Sequence, residues 1–175
     1  MDSLTTTAVS QAICTRWLGR FFQVFPELDS TNDLLKEMVR QGKKDDPPAG
    51  CLFLADSQPN RSRQWDAPPG SSLLLSLLFR PNWPAEQANW LTMLVGAAAA
   101  EAIAEQTGLE VGLKWPNDIM VRQADQWCKV SGILQEGGFG TDGRLQWAIV
   151  GIGINVNIPE FELPKGITPA TSLLV

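Results

Sequence analysis

The chain has 175 residues, 44% of them hydrophobic, which is enough for one well-buried core, so residues 1–175 are read as a single domain. Its 14 basic residues against 19 acidic ones leave a net charge of −5, which argues against a general electrostatic hold on DNA or anionic lipid. There is no histidine, so Ser-His and Cys-His nucleophile arrangements are excluded and any catalysis must run on carboxylates, lysines, arginines, amides or a recruited metal ion.

The first 20 residues carry weak helical periodicity in Val9, Ile13, Trp17 and Leu18 and predict a peripheral helix. Residues 21–25 read as a short strand. Asp29-Ser30-Thr31-Asn32 then offers several N-cap side chains, followed by Leu34, Leu35, Met38 and Val39 at helical spacing and by Gly42 as a stop. Residues 41–50 are charged and Pro-rich, a surface connection. Residues 51–55 and 72–79 are apolar and strand-sized, and the polar segment between them holds Gln58, Arg61, Arg63 and Trp65.

Pro84 stands near the start of the strongest helical pattern, running through Trp90, Leu91, Leu94, Val95, Ala98 and Ile103 to Gly108; its alanine run, 97–100, predicts close packing on a sheet. Four strands are expected over 111–115, 119–122, 130–136 and 145–154. Helices early and a strand meander late predict an α+β fold, a mixed, mostly antiparallel sheet with helices packed on one face.

Cys14, Cys51 and Cys128 are odd in number and far apart, which supports neither a disulfide framework nor a zinc site, so a reducing cytoplasm is the expected compartment. No secretory signal pattern opens the chain and no apolar run approaches a membrane span, so no membrane partner is expected.

Four short strings could carry chemistry, and each also has a plain structural reading. In Lys114-Trp115-Pro116-Asn117-Asp118 the proline breaks a strand where Asn117 and Asp118 turn out of the ladder, as they also would in an ordinary turn. Lys129 stands at the entrance of the apolar run Val130-Ser131-Gly132-Ile133-Leu134, either poised over a pocket or merely solvated at a strand end. Gly151, Gly153 and Asn155 interrupt a β-branched strand, marking a bulge or a close approach to the backbone. Ser30, Thr31 and Asn32 open a helix whose free N–H groups suit an acceptor, although capping explains the same residues.

Taken together, Ser-Thr-Asn, then Gln58 with Arg and Trp, then Lys-Trp-Pro-Asn-Asp, then Lys-x-x-Gly-Ile-Leu, then Gly-Ile-Gly-Ile-Asn, come in the order and approximate spacing of biotin protein ligases. The resemblance runs from about Phe25 to Leu173, nearly the whole chain, and its joint occurrence is far more specific than any one string. It implies the biotin/lipoate ligase fold, similar to class II aminoacyl-tRNA synthetases. It also implies an ATP- and Mg²⁺-dependent enzyme that makes biotinoyl-adenylate and passes biotin to one lysine of a biotin carboxyl carrier protein.

By that resemblance Ser30, Thr31, Asn32, Gln58, Arg61 and Gly132 belong to the biotin site. Lys129 lies by the biotin carboxylate and α-phosphate, and Asp118 is associated with Mg²⁺ and the incoming carrier lysine. Arg63, Trp65, Asn117, Gly153 and Asn155 belong to the nucleotide site. A non-catalytic biotin or adenylate binder, and a lipoate or octanoate ligase on the same scaffold, are the alternatives.

Two departures from the family stand out. Its usual Gly-Arg-Gly-Arg-x-Gly-Arg loop is replaced between Gln58 and Trp65 by the shorter, glycine-free Pro-Asn-Arg-Ser-Arg-Gln, either a shortened lid or a sequence lacking flexible residues, the second being preferred. Ala170-Thr171-Ser172-Leu173 resembles the start of a family helix, so the rest of that helix and the small β-barrel domain are expected to be missing. The short stretch before Phe25 leaves no room for a winged helix, so no operator binding is expected, and whether a sheet edge pairs two chains into a homodimer is left open.

Overall fold

The backbone hydrogen-bonding capacity of the apolar runs is met in one mixed sheet, seen in a computed structural model that describes residues 4–42, 46–59, 67–166 and 168–174. Its strands are β1 (Phe22–Phe25), β2 (Leu52–Ala55), β3 (Ser72–Phe79), β4 (Trp83–Pro84), β5 (Val111–Lys114), β6 (Asp118–Gln123), β7 (Gln126–Phe139) and β8 (Arg144–Asn155). They lie in the order β1-β2-β3-β8-β7-β6-β5, with β4 paired to β8 off that path. Among the named strands only β1 and β2 are parallel, joined by helix α2 (Thr31–Gln41), since a parallel pair needs a crossover longer than a hairpin; the other strand pairs are antiparallel.

Helix α2 begins and ends where its sequence says it should. Ser30 has extended backbone and its hydroxyl accepts from the Asp33 amide at 3.2 Å, while Gly42 closes the helix in the left-handed conformation with φ 53°. Helix α3 (Ala88–Thr107) follows a short 3₁₀ turn and ends at left-handed Gly108. Helix α1 is only Thr6–Ala12, so Ile13, Trp17 and Leu18 of the expected helical stripe lie beyond it. Trp17 instead meets Phe79 edge-on at 6.2 Å.

The mixed, mostly antiparallel sheet is as expected, but the two long helices do not share a face. Strand residues alternate sides, and β8 is apolar on both: Ile149 packs with Phe53, Leu78 and α2 residues Leu35 and Val39, while Val150 and Ile152 pack with Ile133 and α3 residues Leu91 and Ile103. A strand buried on both sides needs cover on both, so α2 and α3 divide the faces between them. The expected alanine run packs in part, through Ala99 and Ala100 against the core under α3. Ala97 and Ala98 are exposed, and Gly96 is a further point of close approach, where an added Cβ would stand 3.3 Å from Ile133 Cδ1.

Two rows of residues cross the sheet on the α2 side. One runs Asp118, Gly132, Gly153, Leu74, Ala55 over β6-β7-β8-β3-β2, and the next runs Leu134, Gly151, Ser76, Phe53. Glycine at the centre of each row leaves a trough between α2 and the sheet. Among the described residues no helix is long and apolar enough to cross a membrane.

Candidate functional site

The trough is a cavity of about 160 Å³, floored by Gly132, Gly151 and Gly153 and flanked by Leu74, Leu134 and Ile152. Thr31, Asn32 and Gln58 reach it from the α2 and β2 side and Lys129 and Asn117 from the β7 and β6 side. β2 and β7 are three strand spacings apart, roughly 14 Å, so Gln58, just beyond β2, and Lys129 on β7 stand on opposite sides of an apolar floor, while Asn32 reaches across to β7. The closeness of α2 is fixed by Gly151, where a Cβ would run into the Asn32 amide.

At the α2 end the polar groups are buried and bonded to one another. The Asn32 amide nitrogen donates to Glu136 Oε2 at 3.2 Å and to the Leu134 carbonyl at 3.4 Å, and Ser76 Oγ lies 2.5 Å from Asn32 Oδ1 and 2.7 Å from Thr31 Oγ1. Gln58 Nε2 donates to Thr31 Oγ1 at 3.3 Å. Gln58 Oε1 is buried with no partner among the described residues, and a buried carbonyl without a donor is costly enough to mark a place for a ligand. On the far side of Asn32, Lys36 bridges Asp33 at 2.6 Å and Glu136 at 2.7 Å, and these hydrogen bonds, that to Asp33 first, hold its ammonium above the ordinary 10.5.

At the other end Lys129 Nζ meets Asp118 Oδ1 at 2.6 Å, with the side chains 31% and 18% exposed. The β6–β7 register shifts between Ile119 and Met120, which lets Asp118 stand opposite Gly132 while Met120 stands opposite Lys129. Asn117 does not point freely into the cavity: its side chain donates to the Ile133 carbonyl at 2.9 Å, and the Ile133 amide donates back to the Asn117 carbonyl at 2.9 Å. The Trp115–Pro116 bond just before it is cis.

The backbone of Lys129 is strapped from outside the sheet. Its amide donates to the Pro169 carbonyl at 2.7 Å, its carbonyl accepts from the Thr171 amide at 2.9 Å, and it forms a parallel bridge with Ala170. Asn155 fastens the same segment, its amide donating to the Thr171 carbonyl at 2.9 Å and its own carbonyl accepting from Leu173 at 3.0 Å. A movable ammonium tip on an immobilised backbone can stabilise an anion without reorganising the chain around it.

Of the residues expected from sequence, Thr31, Asn32, Gln58, Asn117, Lys129, Gly132 and Gly153 share the cavity, Asp118 joins it through Lys129, and Ser30 caps α2 beside it. Asn155 is buried and turned to Thr171 instead of lining the cavity. Arg61, Arg63 and Trp65 lie outside the described residues. Sequence reasoning missed Ser76, Glu136 and Lys36. Only Ser76 left a signal, a lone hydroxyl within the leucine-rich strand Ser72–Phe79.

The chain is 31% identical to the bifunctional ligase/repressor BirA of Bacillus subtilis (strain 168) over 97% of its own length and 51% of that protein's. It is 31% identical to the R40G mutant of the biotin protein ligase from Aquifex aeolicus, solved in complex with biotin, with a TM-score of 0.65 over 89% of this chain and 60% of that one. A biotin acetyl coenzyme A carboxylase synthetase from Helicobacter pylori, solved with bound biotinylated ATP, is 25% identical, with a TM-score of 0.51 over 76% of this chain and 59% of that one. The chain thus spans about half the length of the curated relatives it matches. Residues 24–155, three-quarters of the sequence, match the family profile itself. The chain belongs to the biotin/lipoate A/B protein ligase family.

Proposed function

We propose that the chain activates biotin with ATP to biotinoyl-adenylate, releasing pyrophosphate, and then transfers biotin as an amide to a lysine of a biotin carboxyl carrier protein, releasing AMP. The observation that carries this reading is one cavity with an amide oxygen, Gln58 Oε1, that has no partner among the described residues at one end, and the Lys129–Asp118 pair at the other. A cyclic urea supplies N–H donors for the first end, its hydrocarbon chain suits the glycine and leucine floor between, and its carboxylate suits the ammonium.

Joining a carboxylate to an anionic phosphate requires positive charge where negative charge gathers. Lys129 supplies it as an electrostatic stabiliser and not as a nucleophile. Asp118, released from Lys129 when the substrate anion takes its place, can orient the incoming carrier lysine or accept its proton.

Among the described residues no group of three acidic or cysteine side chains gathers into a metal cage. Asp118 suits a magnesium ion held chiefly by phosphate oxygens, which would supply further charge neutralisation. In the second step the exposed outer end of the site, at Lys114 and Trp115, is where a carrier domain could reach the adenylate.

Incubation with ATP, Mg²⁺ and either labelled biotin or labelled lipoate, with acceptor domain, tests the reading. Pyrophosphate release and transfer of the biotin label are expected. Biotin binding without pyrophosphate release would leave a non-catalytic binder, and transfer of lipoate instead would move the chain to the other branch of its family.

A further inference from the structure

We propose that Lys36, Glu136, Asn32 and Ser76 form a chain of positioning residues that fixes the hydrogen-bond polarity of the cavity's buried end, so that it seeks a ligand N–H donor and rejects an apolar head group. The inference rests on the biotin reading and deepens it, since none of these four residues except Asn32 was assigned to the site from sequence.

The positions of the hydrogens set the direction of each link. Asn32 has its Nδ2 facing two acceptors, Glu136 Oε2 and the Leu134 carbonyl, which fixes the amide orientation and turns Oδ1 toward Ser76. Oδ1 can only accept, so the one hydroxyl hydrogen of Ser76 is committed to it at 2.5 Å. The 2.7 Å contact between Ser76 and Thr31 must then be made by the hydrogen of Thr31. With its hydrogen spent, Thr31 Oγ1 can only accept, so Gln58 offers it Nε2, and Gln58 Oε1 is left pointing elsewhere, buried and without a partner among the described residues.

The first link is electrostatic. Glu136 Oε1 accepts from Lys36 at 2.7 Å, which leaves Oε2 to accept from Asn32, and Lys36 is itself tied to Asp33. Thr31, Asn32, Ser76 and Gln58 are all buried, so water cannot substitute for a missing partner and each link determines the next. A ureido or amide N–H completes the chain at Gln58. A dithiolane or an alkyl chain has no donor and leaves the amide oxygen bare, which is the kind of mismatch that gives strong discrimination.

Removing Ser76 breaks the sequence of bonds in the middle. In Ser76→Ala the Thr31 hydroxyl is free to rotate and donate to Gln58, whose amide can then flip and present its NH₂ to the cavity. Glu136→Leu removes the outer acceptor for Asn32, while Glu136→Gln keeps one oxygen, enough for Asn32 or for Lys36 but not for both.

The experiment is calorimetric titration of the folded chain and the three variants with biotin, desthiobiotin, which keeps the ureido group, and ATP, alongside thermal melting. Ser76→Ala and Glu136→Leu should weaken biotin and desthiobiotin in parallel, by about tenfold or more for Ser76→Ala. Glu136→Gln, with one oxygen for two donors, should fall between the parent and Glu136→Leu, and ATP affinity should be kept in all three, although Ser76→Ala and Glu136→Leu, which strand buried polar partners, should melt a few degrees lower. Unchanged biotin affinity in Ser76→Ala overturns the inference. So does a common loss of affinity for every ligand together with the melting temperature, since that is what a merely structural role would do. Failure of the parent chain to bind biotin or desthiobiotin sinks the functional reading itself, and with it the donor-seeking assignment.

Discussion

Replacing Lys129 by methionine keeps most of the side-chain volume and removes only the ammonium. The ammonium lies 2.6 Å from Asp118, with exposures of 31% and 18% for the two side chains, so the pair is neither a surface bridge nor a fully buried one. Breaking an exposed pair costs up to about 1 kcal/mol, and stranding one partner of a buried pair about 3–5. Their intermediate exposure places the stability loss near about 2 kcal/mol, or roughly 4–8 °C in melting temperature for a domain of this size. Against a folding free energy of about 5–15 kcal/mol that leaves the chain essentially all folded at 25 °C. Loss of a preorganised charge at the reacting centre, by contrast, lowers turnover about 100- to 1,000-fold, or about 3–4 kcal/mol in the barrier. Pyrophosphate release at saturating biotin and ATP, measured beside a melting curve of the same preparation, separates the two effects. A folded Lys129→Met chain releasing pyrophosphate within about threefold of the parent would refute the assigned role of the ammonium.

Other perturbations probe the same geometry. Gly151→Ala should destabilise by about 1–3 kcal/mol in urea and weaken biotin binding, because its Cβ collides with the Asn32 amide; an unchanged urea midpoint would contradict the tight α2 contact. Burial pushes the Cys51 thiol up to about 12, whereas Cys14 is exposed, so mild iodoacetamide near neutral pH should alkylate Cys14 first, and equal labelling of Cys51 in the native chain would contradict its packing. Lys36 has its folded pKa raised, so its contribution, about 1 kcal/mol, is fully present below 10.5 and is lost as pH climbs through the raised value. Denaturant melts of Lys36→Met and parent should therefore differ at neutral pH and converge in strong alkali; a constant gap would show that Lys36 stabilises by packing instead.

The sequence by itself determined the local features. Ser30 as the cap of α2, Gly42 and Gly108 as its and α3's stops, and the strands 72–79 and 145–154 depend on propensities and periods within a few residues of chain. The strings around Asp118, Lys129 and Gly153 were legible for a related reason: charge, proline and glycine are out of place in apolar strands, and strand register then brings Asp118, Gly132 and Gly153 into one row.

What only the tertiary structure decided are the partners. Asn32 and Glu136 are 104 residues apart, Ser76 and Asn32 44 apart, and no local pattern says which hydroxyl in a leucine-rich strand will meet which amide. Nor could the pattern along β8 tell that α2 and α3 take opposite faces, because an apolar run buried on both sides has the same composition whichever helix covers each. Asn155 shows the same limit: its place after Gly153 was readable, but its turn toward Thr171 depends on where a distant segment crosses the sheet. Backbone preferences are set by near neighbours, whereas hydrogen-bond direction and burial are set by whatever the folded chain brings alongside.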